Sequence, residues 1–182
     1  MEDLSLHILD IAENSIKAKA KNIEIMFEEN TEKDMTSLEI SDDGMGMDNK
    51  TLYKVLNPFF TTKNTRKVGL GIPLLSEAAK AADGKFSIES QPGKGTRLKA
   101  MFKSSHIDKK PIGDIASTLI SIISGHPEVR LVYTHKLNGK KYELDTKEIK
   151  SQLNGIPIHS PEVLKIIKIN INKGIDSMRR QK

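Results

Sequence analysis

Ser41-Asp42-Asp43-Gly44-Met45-Gly46-Met47 is the stretch whose reading decides the fold. Before it, Leu38-Glu39-Ile40 alternates apolar and polar like a half-buried strand, so the acidic pair falls where that strand runs out. A carboxylate is thereby held at the end of a sheet. Glycines at alternate positions lack the Cβ atoms that would keep a flat ligand off the backbone, and they tolerate positive φ. Asp-Asp-Gly is also ordinary turn chemistry, so the flanks decide between a ligand-facing turn and a plain loop.

Upstream, residues 3 to 20 read as one helix with two faces. Leu4, Ile8, Ile11, Ala12 and Ser15 share an arc at a 3.6-residue period and predict docking on a sheet. Asp3, His7, Asp10, Asn14 and Lys17 are placed on the opposite stripe. At i, i+4 and i+7, Asp10, Asn14 and Lys17 point a carboxylate, an amide and an ammonium the same way. Such a stripe is either a wetted helix face or one wall of a site. Asn22 to Glu29 alternates through Ile23, Ile25 and Phe27, and with the strand ending at Asp42 it predicts a hairpin about residues 31 to 36.

Downstream, Asp48 is placed to cap a short helix carrying Leu52, Val55 and Leu56, stopped by Asn57-Pro58. Phe59 to Val68 follows two aromatic anchors with hydroxyl, amide and cationic side chains, which reads as a hinged lid over an anion or as an exposed basic loop. Gly69-Leu70-Gly71 opens a helix over 72–82 that Asp83-Gly84 ends. Glycine at a helix start leaves bare N–H groups and the positive end of the dipole open to phosphate. Lys85 to Glu89 and Arg97 to Phe102 predict a second hairpin around Pro92-Gly93-Lys94-Gly95-Thr96.

A first unit therefore closes near residue 105, and His106 to Pro111 reads as a linker. Beyond it, a helical stripe of Ile112, Ile115, Leu119, Ile122 and Ile123 ends at Gly125-His126-Pro127. Val129 to Leu137 and Lys141 to Leu144 flank Asn138-Gly139, a strong hairpin signal. Asp145 with Glu148 predicts a capping box, and Ser160-Pro161-Glu162 opens a last helix bearing Leu164, Ile167, Ile171, Ile175 and Met178. The expectation for 111–182 is a small α+β unit, αββαα in order, packed on the first.

Composition narrows the function. Without cysteine there are no disulfides and no thiolate metal sites, and the five histidines show no ligand spacing. No stretch approaches the length of a membrane span and the N-terminus has no secretion pattern, so the expected compartment is the cytoplasm. A formal charge of +5, with lysines scattered, reads as a solvated surface rather than a nucleic-acid footprint.

Taken in order, the motifs of the first half resemble the Bergerat-fold ATP-binding domain of the GHKL superfamily, which includes gyrase, the ninety-kilodalton heat-shock chaperone, histidine kinases and MutL. Asp10 to Ser15 is similar to its N box and Asp42 to Gly46 to its first glycine box. Asn57 to Lys63 is similar to the phenylalanine box, Gly69 to Ile72 to the second glycine box, and Gly95-Thr96 to the small final motif. The resemblance implies an α+β fold, a two-layer sandwich of Bergerat type over residues 1–105. It implies Mg²⁺ on the Asn14 side-chain oxygen and the adenine amino group on Asp42, with Gly44 and Gly46 admitting base and ribose. Lys17, Thr62, Lys63 and Arg66 would contact phosphates, Gly69, Leu70 and Gly71 would supply the second glycine motif under a lid, and Thr96 would hold a water near adenine.

Family ATPases usually carry Glu four residues before the metal Asn, acting as general base, whereas histidine kinases often carry Asn; here the residue is Asp10, one methylene shorter. Only 13 residues precede Asn14, so a helical phosphoacceptor domain is not expected before it. The expected function is Mg-ATP binding by a slow ATPase, or by a protein kinase acting on a protein partner in trans. The alternative is a non-catalytic nucleotide-sensing module that reports ATP or ADP to a partner complex.

Overall fold

The computed structural model describes residues 3–56 and 70–180. Helix α1 (Leu4–Lys17) starts at Asp3, whose side chain accepts from the Leu6 N–H. It stops three residues before the expected end. Lys19 turns left-handed at φ 62°, Lys19 N–H donates to the Ile16 carbonyl and Ala20 N–H to that of Ser15, which together form a Schellman termination.

Strands β1 (Asn22–Asn30) and β2 (Met35–Asp42) form the expected hairpin, and α2 (Asn49–Leu56) follows. Helix α3 (Gly71–Ala81) leads into the second hairpin, β3 (Lys85–Gln91) and β4 (Gly95–Lys103). The remainder is α4 (Ile115–Gly125), β5 (Arg130–Leu137), β6 (Lys140–Asp145), α5 (Thr146–Gln152) and α6 (Pro161–Arg180).

All six strands join one mixed sheet in the order β3-β4-β2-β1-β5-β6. Only β1 and β5 run parallel, with Ile25 opposite Tyr133 and Phe27 opposite His135. Register stacks the buried side chains in rows across the sheet, Leu98, Ile40, Ile25, Tyr133 and Leu144 in one and Ala100, Leu38, Phe27 and His135 in the next. Those rows face α1, α3, α4 and α6, and the alternate residues of the opposite face keep Glu39 paired with Arg97.

Residues 111–182 therefore join the first half through the sheet itself, and α4 packs beside α1. The segment read as a linker is tied in by backbone, since Leu4 and Ser5 N–H groups donate to the Pro111 and Ile112 carbonyls at 2.9 Å. Ile112 lies outside the helix expected to carry it. Gly113 is left-handed at φ 80° and Asp114 accepts from Ser117 N–H, so α4 starts at Ile115. Asn138 and Gly139 are both left-handed, φ 48° and 84°, as the two-residue hairpin turn requires. Asp145 caps α5 through Lys147 N–H rather than through the N–H of Glu148 that a capping box uses, and the Arg130 guanidinium holds the same carboxylate.

Candidate nucleotide site

A cavity of about 770 Å³ lies between α1 and the strand pair β2/β4. Its floor is Ile40 and Leu98, paired across those strands. Ile11, Asn14, Ser15 and Ala18 on one face of α1 form a wall, Met45 to Met47 a rim, and Thr51, Val55 and Ile72 the far side. A largely apolar slot with a few fixed polar groups is the usual form of a small-molecule site.

Asp42 stands at the end of β2, opposite Thr96 of β4, and both line the cavity. Ser15 Oγ donates to Asp42 Oδ2 at 2.7 Å and the Gly44 N–H to Oδ1 at 2.9 Å. Each carboxylate oxygen thus has one fixed donor and keeps acceptor capacity for another. The sequence placed Ser15 on the buried arc without seeing this role; its signal was a hydroxyl at the seam between arc and stripe. Thr96 Oγ1 shares a hydrogen bond with Ser90 Oγ at 2.9 Å, and Ser90 Oγ also accepts from Met47 N–H.

The turn after Asp42 is pinned on all sides. Asp43 accepts from the N–H groups of Lys21 and Asn22 and from the Asn22 amide, bonds that outweigh its desolvation and hold its pKa below the usual carboxylate value. Met45 N–H donates to the Ala18 carbonyl, and the Met45 carbonyl accepts from Gly93. Gly46 is left-handed, φ 63°, and a Cβ there would lie 1.9 Å from the Gln91 carbonyl oxygen, while one on Gly44 would meet that of Ala18 at 2.9 Å. Both glycines are thus needed to seat the turn against its own chain.

On α1, Asn14 lines the cavity and its Nδ2 donates to Asp10 Oδ2 at 3.3 Å, which leaves the Oδ1 lone pairs, unengaged among the described residues, to ligate a cation. Among the described residues no group of three His, Cys, Asp or Glu could hold a metal. An amide oxygen completed by phosphate oxygens and water suits Mg²⁺, which keeps much of its hydration shell. Lys17 also lines the cavity and its side chain is exposed. Asp10 is half-buried beneath the start of α3, where its carboxylate fills the space a Gly71 Cβ would take. Leu70 immediately precedes α3 and is 54% exposed. Thr62, Lys63, Arg66 and Gly69, with the rest of the expected lid, lie outside the described residues.

His7 corrects the expectation of a wet opposite stripe. It is buried, because it lies three residues after Leu4 and four before Ile11 and so falls at the edge of the apolar arc. Burial pushes its pKa down, against the pull of the nearby Asp10 and Asp3 carboxylates.

The N-terminal domain of a DNA repair protein shares the fold, with a TM-score of 0.52 over 80% of this chain and 53% of that one at 20% identity. A sensor protein kinase of Pseudomonas aeruginosa, FleS, is 37% identical over 89 residues, 49% of this chain and 22% of that protein. Sporulation kinase C of Bacillus subtilis is 31% identical over 88 residues, 48% of this chain and 20% of that kinase. The chain thus spans about a fifth of those two relatives. Residues 2–106, more than half of the chain, match the family model described as histidine kinase-, DNA gyrase B- and HSP90-like ATPases, and the chain belongs to that family.

Proposed function

We propose that the chain binds Mg-ATP in the cavity beneath α1 and acts as a slow ATPase or as a protein kinase on a partner in trans. The observation that carries the reading is the Asp42 carboxylate, held by Ser15 and the Gly44 N–H with lone pairs to spare at the wall of an apolar slot. An amino-bearing purine edge satisfies that carboxylate, whereas the carbonyl that guanine presents there would repel it. With the base at Asp42, phosphates run along α1 toward Asn14 and the start of α3. Asn14 Oδ1 would hold Mg²⁺, which neutralises phosphate charge when bound. Asp10, kept in place by the Asn14 amide, would accept the proton of an attacking water or hydroxyl.

Continuity of the sheet favours a second reading. β2 carries Asp42 and pairs with β1, which pairs with β5, so nucleotide occupancy and residues 111–182 share one rigid element that a partner could sense without turnover.

Phosphate release, together with transfer of labelled γ-phosphate to proteins of a cell lysate, separates the two. Turnover above buffer that falls roughly a hundredfold in Asp10→Asn, with ATP affinity kept within a few-fold, supports the enzyme. Wild-type turnover equal to buffer would leave the sensor.

A further inference from the structure

The Ser90 hydroxyl oxygen meets three partners at once: the Met47 N–H at 2.8 Å, the Gly95 carbonyl at 3.0 Å and Thr96 Oγ1 at 2.9 Å. A hydroxyl owns one proton and two acceptor lone pairs. An amide N–H can only donate and a carbonyl can only accept, so Met47 occupies one lone pair and the Ser90 proton goes to Gly95. With that proton spent, the contact to Thr96 is a hydrogen bond only if Thr96 donates it. Ser90 Oγ is then saturated, and the Thr96 proton is turned toward Ser90.

Thr96 itself lines the cavity and pairs across the sheet with Asp42. With its proton on Ser90, what it offers a ligand is lone pairs. Asp42 offers the same, since the Ser15 hydroxyl and the Gly44 N–H have already given it their protons. Residues directly opposite on neighbouring strands present their side chains to one face, so two acceptors converge on one edge of a ligand. An exocyclic amino group, with two hydrogens, suits such a pair. A carbonyl in that place meets lone pairs from both sides and loses its water without a proton in exchange.

We propose that Ser90 is a positioning residue for base selection: by taking the Thr96 proton it keeps Thr96 an acceptor, so that this end of the cavity favours a 6-aminopurine over a 6-oxopurine. Asp42 alone would leave the choice half open, because a Thr96 hydroxyl free to rotate could turn its proton to a carbonyl. Within the nucleotide-binding reading, on which this rests, Ser90 acts through Thr96 and not on the ligand itself.

Isothermal titration of the intact chain with ATP and with inosine triphosphate, both with Mg²⁺, tests this in wild type, Ser90→Ala and Ser90→Thr. The two nucleotides differ in the base alone, where inosine carries a 6-carbonyl and a protonated N1. Wild type is expected to prefer ATP. In Ser90→Ala the Thr96 hydroxyl is released to donate, and the preference falls at least about fivefold, the worth of one hydrogen bond, whereas Ser90→Thr keeps the hydroxyl and the preference. Affinity lost for both nucleotides in equal proportion means that Ser90 only supports the turn and overturns the proposal, as does a wild type indifferent to the base. Wild-type protein that binds neither nucleotide overturns the underlying reading instead, a different result. Neutron diffraction from wild-type crystals needs no variant: the Thr96 hydroxyl proton is expected between its oxygen and Ser90 Oγ, and a proton pointing into the cavity overturns the proposal.

Discussion

Gly71 rests so closely on Asp10 that a Cβ added to it would lie 1.9 Å from Asp10 Oδ2 and 2.8 Å from Cγ. The glycine of the second motif is thus required by the acid of the first, before any phosphate is present. Gly71→Ala must push α3 outward or turn the carboxylate away. Overpacking of this kind costs about 1–3 kcal/mol, readable by urea denaturation. Most of that loss should vanish in an Asp10→Ala background, where the two closest atoms are gone. An equal loss in both backgrounds would show that Asp10 is not what Gly71 accommodates.

Ser15 is expected to act through Asp42. Its hydroxyl donates to Oδ2 at 2.7 Å and so ties α1 to the end of β2. Ser15→Ala removes the bond and frees the carboxylate to rotate. A hydrogen bond to a charged group is worth about 1.5–3 kcal/mol, so ATP affinity should fall roughly tenfold or more and the margin over GTP should narrow. Competition binding with the two nucleotides reads both effects, and an unchanged margin would remove Ser15 from base recognition.

Much of this was legible in the sequence, for reasons of period. The apolar arc of α1, both hairpins of the first half and the Asn138-Gly139 turn follow from local patterns, and all are found. Ordered motifs brought Asp10, Asn14, Asp42 and Gly71 into one neighbourhood. What stayed hidden is non-local. Nothing in the alternation of residues 130–137 says that β5 lies parallel to β1, because a strand pattern specifies a buried face and not a neighbour. The sequence offers close approach of a ligand as the reason for Gly44 and Gly46; the structure adds the crowding of the Ala18 and Gln91 carbonyls, which no local pattern announces. Polarity alone puts His7 on the wet stripe, although its spacing from Leu4 and Ile11 sets it beside the core.

Buried His7 gives stability a pH dependence of definite sign. Burial holds its folded-state pKa below the ordinary 6.5, so the native chain binds fewer protons than the unfolded one once the pH falls through that value. This contribution is intact above about pH 7 and is lost as pH falls through the unfolded and then the folded pKa. Denaturant melts in steps from pH 7.5 to 5 should show this slope in wild type and a flatter one in His7→Gln. Parallel curves would mean that His7 titrates no differently in the two states.

Residues 105–182 are expected to be needed for folding of the first half. Their removal strips β5 from β1, leaves a long unpaired edge at Asn22–Asn30 and uncovers the side of α1 that α4 packs on. A chain ending at Ser104 should aggregate or melt without a sharp transition. A soluble fragment with an unchanged Tm would establish an independent module.

Asp42 and Asn14 are proposed to mark the two ends of an adenine triphosphate site. Isothermal titration of the intact chain with ATP, in the presence and absence of Mg²⁺ and with GTP as the control, measures both ends at once. Saturable binding of ATP is expected, weakening sharply without Mg²⁺ or in Asn14→Ala, with no comparable binding of GTP. ATP and GTP binding equally well, or ATP affinity indifferent to both Mg²⁺ and Asn14, would contradict it.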